Sequence, residues 1–248
     1  MGKNFQNKIM NKIFLIIFLI LHCLNAWGKS DQEAFLNANK LYKEGKFLES
    51  IKLYDSISHK DLNCWFNIGN CYYNLNNFAL AIGYWKKALK DASYNDFLNI
   101  ETNIEKAYKK LNSKHNLGLF DQLNNFTLRY LSLISVLSLQ LLILLLLFLI
   151  ILFWKKLIKV KFLLISLAFL NLFLLLLYGI KYFDQNKKSA IVLEPQAKIY
   201  AGPDKYYHIL GSLDLGQEVK IIKDHNNWVK VNNKNLSGWI NSETIFII

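Results

Sequence analysis

Four asparagines, Asn63, Asn67, Asn70 and Asn74, recur at intervals of four, three and four in NCWFNIGNCYYNLNNFALAIGYW, residues 63–85. On a helix that spacing gathers them on one face. Each carboxamide carries both donors and acceptors, so the stripe is equipped to pair with a peptide backbone. Asparagine is a poor helix former, because its side chain competes for backbone hydrogen bonds. Four in one stripe are therefore either a ligand-facing row or a solvated face, and the sequence leaves both readings open. Phe66 and Tyr73 flank the row and would add apolar contact.

Other reactive residues do not converge. The five histidines, His22, His59, His115, His208 and His225, are scattered, with no metal-ligand spacing among them. Glu101 and Glu105 stand one helical turn apart beside Lys106 and Lys109, the pattern of a solvated helix face. Cys64 and Cys71 lie seven apart on the asparagine helix, about 10 Å at 1.5 Å rise per residue. A disulfide needs less than about 7 Å between Cα atoms. The two thiols are read as small buried residues at helix contacts. No metal, cofactor or catalytic group is expected, and catalysis needs a convergent set.

The elements that position these residues divide the 248-residue chain into membrane and exported parts. Leu131–Phe153 and Phe162–Ile180 hold no charged residue over 23 and 19 positions. Each run matches the roughly 20 residues that span a bilayer as a helix. The expected spans are 131–154 and 162–183. Each carries one amide, Gln140 and Asn171, expected to tie helices together. The two differ in depth by about one turn, which leaves a direct bond between them as one option and Ser135, Ser138 and Ser166 as the alternative partners. The loop WKKLIKVK carries Lys155, Lys156, Lys159 and Lys161 with no acid; loop residues 155–161 are expected in the cytoplasm. Lys3, Lys8 and Lys12, the apolar stretch Ile13–Leu21 and the small residues of Ala26-Trp27-Gly28 read as an export signal over 1–28. Both signals place the soluble parts outside the cytoplasm, on the periplasmic side of an inner membrane. Residues 116–130, with Leu119, Leu123, Phe126 and Tyr130 at helical spacing, read as an amphipathic lead-in or an extension of the span. The net charge of +12 comes from dispersed lysines, and nucleic acid is not the expected partner.

Residues 30–115 are expected to be helical. Trp65, Ile68, Gly69 and Tyr72 on one helix, an Asn76-Asn77-Phe78 turn, and Ala81, Trp85, Ala88 and Leu89 on the next follow a helix–turn–helix layout in which small residues let two helices approach and aromatics fill the gaps. The layout resembles a tetratricopeptide repeat, with Ser93 where a proline usually closes the second helix. A weaker copy precedes it, carried by Ala34, Ala38, Leu41, Tyr42, Gly45-Lys46-Phe47, Ser50, Tyr54 and Ile57, with a trimmed joint at Ser58–Leu62. A helix over 94–111 would cap the stack. The resemblance implies that first helices line a concave groove for extended peptides. That makes Asn63, Phe66, Asn67, Asn70, Tyr73 and Asn74 the candidate groove residues.

Residues 189–248 hold both prolines and short β-branched runs separated by turn clusters, the pattern of a small all-β barrel. Ala201-Gly202-Pro203, Leu213, Gly216, Trp228-Val229-Lys230-Val231 and Gly238-Trp239-Ile240 resemble a bacterial SH3-like domain, a class associated with cell-wall or peptide binding. Gly238 is expected at a tight turn with positive φ, and Trp228 and Trp239 in core and rim packing. Ile199-Tyr200 stand where such domains often carry asparagine or arginine, so the pattern names no ligand.

The whole order is a multi-domain membrane protein: export signal, α-helical tetratricopeptide repeats, two transmembrane helices and a C-terminal all-β SH3-like barrel. It resembles the BatE family of aerotolerance-operon proteins. That resemblance implies an inner-membrane protein working beside von Willebrand factor A-domain proteins and a MoxR-type ATPase in envelope stress tolerance, and the domain order itself reads as a membrane-anchored adaptor. A cell-wall anchor that binds peptidoglycan through the barrel is the alternative.

Overall fold

The computed structural model describes residues 30–112, 119–157, 159–233 and 236–248. The expected signal at 1–28, with Cys23 and His22, lies outside the described residues, as does His115. Residues 30–43 form α1, which pairs with α2 (Phe47–Ser56). A second pair follows, α3 (Leu62–Asn74) and α4 (Phe78–Leu89), and then α5 (Tyr94–Lys110).

Local chemistry sets these boundaries. The Asp61 side chain accepts from the Cys64 amide at 2.9 Å and opens α3. Asn77 does the same for α4 through the Leu80 amide at 3.3 Å. Asn76, with φ 60°, makes the turn between them. Ser93 occupies the proline position of the repeat pattern, and the structure gives it a positive role as the N-cap of α5. Its hydroxyl donates to the Asp96 carboxylate at 2.6 Å and accepts from the Asp96 amide at 3.4 Å.

Two apolar cores run through the helices. Ala38, Ile51, Tyr54, Ile57, Cys64, Ile68 and Cys71 form the first. The second begins with Ala81, Ile82, Trp85 and Ala88 of α4 and continues into Ile100, Ile104, Ala107 and Tyr108 of α5. Both cysteines are free and buried. Burial pushes the Cys64 thiol up to about 11 and raises that of Cys71.

The apolar middle is a helical hairpin. After α6 (Leu119–Leu131) the chain breaks, and Ser135 caps α7 (Val136–Leu152) by accepting from the Ser138 amide at 2.9 Å. A short α8 (Trp154–Leu157) leads to α9 (Lys161–Gln185). Among the described residues, α9 is the one helix long and apolar enough to cross a membrane. α7 has 17 residues, because the Ser132–Ser135 break separates it from Leu131. Gln140 and Asn171 each find a different partner. Gln140 Nε2 donates to the Tyr178 hydroxyl at 2.8 Å, and Asn171 Nδ2 donates to the Ile143 carbonyl at 3.3 Å. The offset of one turn keeps the amides apart, and each ties α7 to α9 separately.

Residues 189–248 form an antiparallel sheet of seven strands: β1 (Ser189–Val192), β2 (Ala197–Tyr200), β3 (Ile209–Leu213), β4 (Glu218–His225), β5 (Trp228–Asn233), β6 (Leu236–Asn241) and β7 (Ile245–Ile247). Their order is β3-β2-β6-β5-β4-β1-β7. Alternate residues such as Val219, Ile221, Val229, Val231 and Ile240 point into its core.

Candidate protein-interaction site

The asparagine row lies on α3, and the fold uses much of its bonding capacity internally. Asn67 Nδ2 donates to Asn39 Oδ1 of α1 at 3.1 Å, and the Tyr54 hydroxyl donates to the same oxygen at 2.5 Å. Asn74 Nδ2 donates to the Tyr42 hydroxyl at 3.1 Å and to the Asn70 carbonyl at 2.8 Å. Asn70 Oδ1 accepts from the Trp85 indole at 3.1 Å. Asn63 stays exposed, its amide donating to Asp61 at 3.3 Å. The row therefore works as a seam: Asn67 and Asn74 reach back to α1, and Asn70 reaches forward to α4. Asn67 Oδ1 and Asn70 Nδ2 are the complementary acceptor and donor that these bonds do not use.

The aromatics beside the row are part of the same joint. The Phe66 carbonyl accepts from Trp85 Nε1 at 3.2 Å. Tyr73 meets Phe78 edge-on at 5.3 Å and tilts against Trp85 at 5.6 Å. Of the repeat-pattern residues, Ile68, Ala81, Trp85 and Ala88 are fully buried. Gly69 admits Trp85: a Cβ there would stand 2.5 Å from the indole Cδ1. Trp65 and Tyr72 are half-buried and pack against Tyr84, at 6.0 and 5.3 Å between ring centroids.

That Tyr84 contact leads to a joint that the repeat and barrel patterns do not name. Phe246 of β7 sits 4.6 Å from Tyr84. The Lys87 ammonium lies among three rings, 4.6 Å from Phe246, 5.0 Å from Trp65 and 6.0 Å from Tyr84. Ile191 and Ile248 of the barrel belong to the same buried cluster as Ile82, Ala88 and Ile100, with Leu193 and Leu215 packed against it. Gly216, at φ 79°, makes the turn before β4, and a Cβ there would touch Leu111. Lys86 Nζ pairs with Glu218 at 2.8 Å, and Lys187 approaches the other carboxylate oxygen at 3.7 Å. Burial alone would raise the Glu218 carboxyl, but Lys86 and Lys187 outweigh it and hold the group at about 2. Burial alone would lower the Lys86 ammonium, and Glu218 raises it instead. The signals in the sequence were modest: Gly83, a small residue in α4 beyond the repeat pattern, and Phe246, an aromatic in the last strand.

In the barrel, Gly238 corrects an expectation. It lies within β6, not at a turn, and its φ is not positive. What it supplies is close approach: a Cβ there would meet the Tyr200 carbonyl at 2.6 Å and the Ile199 side chain. Gly202 similarly leaves room for the Tyr207 ring, and Pro203 beside it is half-buried. Trp228 is half-buried and packs edge-on against Tyr200 at 5.3 Å; Trp239, also half-buried, faces His225 at 6.2 Å. Around the β2–β3 connection, Tyr206, Tyr207, Ile209 and Leu210 are exposed, Tyr206 almost completely. Among the described residues no group of three or more His, Cys, Asp or Glu is placed to hold a metal ion.

Residues 62–90 match the tetratricopeptide repeat family, a span that contains α3 and α4. Residues 195–246 match the bacterial SH3 domain family and take in β2 to β6. No curated protein matches the chain in sequence. Matches and geometry together give a helical tetratricopeptide region joined to a C-terminal antiparallel bacterial SH3 domain.

Proposed function

We propose that the chain is a membrane-anchored adaptor, without catalysis of its own, whose repeat groove and SH3 domain hold protein partners side by side. The observation that carries this reading is the shared core of α4, α5, β1 and the chain end: Ile82, Ala88, Ile100, Ile191 and Ile248 pack as one cluster. Two modules of interaction-domain type are thereby held in one orientation next to an apolar hairpin. The anchor is α7 with α9, read as two spans. α9 rises about 38 Å and α7 about 26 Å at 1.5 Å per residue, against a hydrocarbon core of about 30 Å. Their surfaces are dominated by exposed leucine and phenylalanine, among them Leu141, Phe148, Phe169 and Phe173. With the lysine-rich turn inside, both domains stand on the periplasmic side.

The groove we propose runs along α3, with Asn63, Asn67 and Asn70 as its polar row. By the resemblance to the BatE family, the proposed partners are von Willebrand factor A-domain membrane proteins and a MoxR-type ATPase system in envelope stress tolerance. A photo-crosslinking residue at exposed Asn63 should capture such a partner in native membranes, and one at exposed Lys52 on α2 should not. Equal capture from both positions removes the groove from the proposal.

The exposed Tyr206, Tyr207, Ile209 and Leu210 favour a second reading, a cell-wall anchor acting through the barrel. Co-sedimentation of the full chain in detergent with purified peptidoglycan tests it; protein left in the supernatant eliminates it. The full chain is the appropriate sample, because Ile191 and Ile248 lose their helical packing in an isolated barrel.

A further inference from the structure

The hairpin turn between α7 and α9 combines two features that membrane topology and partner binding do not jointly require. It is strongly cationic. Lys155, Lys156, Lys159 and Lys161 fall within eight residues, and no acidic residue occurs anywhere from 131 to 183. It is also concave. Ile151, Leu152, Phe153, Trp154 and Lys156 line an open cleft of about 680 Å³. The cleft forms because α7 ends at Leu152 and α8 starts afresh at Trp154, leaving Phe153 and Trp154 about half exposed. Among the described residues, Lys156 is the charged one in its lining, with the ammonium 5.9 Å from the Phe153 ring.

We propose that this turn binds an anionic phospholipid from the surrounding leaflet. The inference rests on the reading of α7 and α9 as a membrane hairpin. Charge and shape together select the ligand. Four lysines in a stretch of sequence that holds no acidic residue attract a headgroup of net negative charge. A zwitterionic headgroup brings its own cation toward those lysines and gains less. The apolar floor of Ile151, Leu152 and Phe153 takes the upper acyl chains, and Trp154 sits at headgroup level, where an amphipathic ring is favoured. Free phosphate would satisfy the ammoniums and leave that floor empty.

Native mass spectrometry of the full-length protein, reconstituted in vesicles of equal phosphatidylglycerol and phosphatidylcholine and then extracted, reads the site directly. The wild type should retain phosphatidylglycerol severalfold over phosphatidylcholine. A variant with arginine at 155, 156, 159 and 161 should keep that ratio. Glutamine at the same four positions should bring it close to unity, with each lysine contributing roughly fivefold at most. Millimolar inorganic phosphate should not displace the lipid. Equal retention of both lipids by a wild type that resists carbonate extraction overturns the lipid site alone. The same holds for an undiminished ratio in the glutamine variant, or for displacement by phosphate. A wild type that carbonate strips from the vesicles overturns the membrane hairpin and the lipid site together.

Discussion

Phe246 of the last strand rests on Gly83 of α4: a methyl group at residue 83 would come within 2.5 Å of the ring. This contact, with Tyr84 and Lys87 beside it, is where the barrel meets the repeat. A side chain at position 83 has to displace the ring from a site it shares with both neighbours.

Gly83→Ala should therefore loosen the joint. The helix itself gains about 1 kcal/mol from alanine, while overpacking of a filled contact costs about 1–3 kcal/mol. The expected result is a lower melting temperature for the barrel and faster proteolysis between Gln185 and Ser189. Phe246→Ala should remove the penalty, so the double variant is more stable than the two single effects add up to. Strict additivity would mean that the ring and the glycine do not act on each other.

Gly69→Ala tests the repeat in the same way, at a more rigid site. Trp85 is buried, and its indole is fixed by Phe66 and Asn70. The ring cannot move aside without breaking those bonds, so a loss of about 1–3 kcal/mol is expected in denaturant titration. Gly45→Ala meets no neighbouring atom within 4 Å. Its cost should come from the positive φ alone and be smaller.

Acid should weaken the joint through Glu218. Its folded carboxyl is depressed from the ordinary 4.5 to about 2. The stability it contributes is thus complete above pH 4.5 and is lost as pH falls toward 2. Glu218→Gln should flatten the acid limb of the unfolding curve over that window, as followed by tryptophan fluorescence. An unchanged limb would remove the ion pair from the account of the joint.

Cys64 and Cys71 should resist alkylation at pH 8 in the folded protein, because burial raises both thiols and encloses them. In a Cys23→Ser background, native protein should take up no iodoacetamide over a time in which denatured protein takes up two equivalents. Rapid native labelling would show that the first helical core opens readily.

Much of the helical region can be read from residue types. Ile68, Gly69, Ala81, Trp85 and Ala88 announce a helix pair by size alone, because small residues opposite large ones fit in few ways. The alternation in WVKV and GWI marks β5 and the inner half of β6 for the same reason. The asparagines were less legible. Asn67 and Asn74 bond to Asn39 and Tyr42, roughly thirty residues earlier in the chain, and a helical period within α3 carries no information about another helix. Gly238 was misread because a turn and a close backbone approach both call for a missing Cβ. The joint between barrel and repeat left only the modest signals of Gly83 and Phe246, since these residues, like Lys86 and Glu218, are unremarkable until tertiary structure brings them together.

Only Asn186, Lys187 and Lys188 separate the end of α9 from the start of β1. Gln185 Nε2 donates to the Lys90 carbonyl at 3.2 Å, and Lys90 Nζ donates to the Lys187 carbonyl at 3.4 Å. The exit of α9 is thus stapled to the end of α4. A flexible tether lets two modules search for two ligands independently, whereas this junction fixes their separation and angle. The molecule has the form of a caliper, with the repeat and the SH3 domain as jaws set at one span. A tilt of α9 would swing both jaws at once.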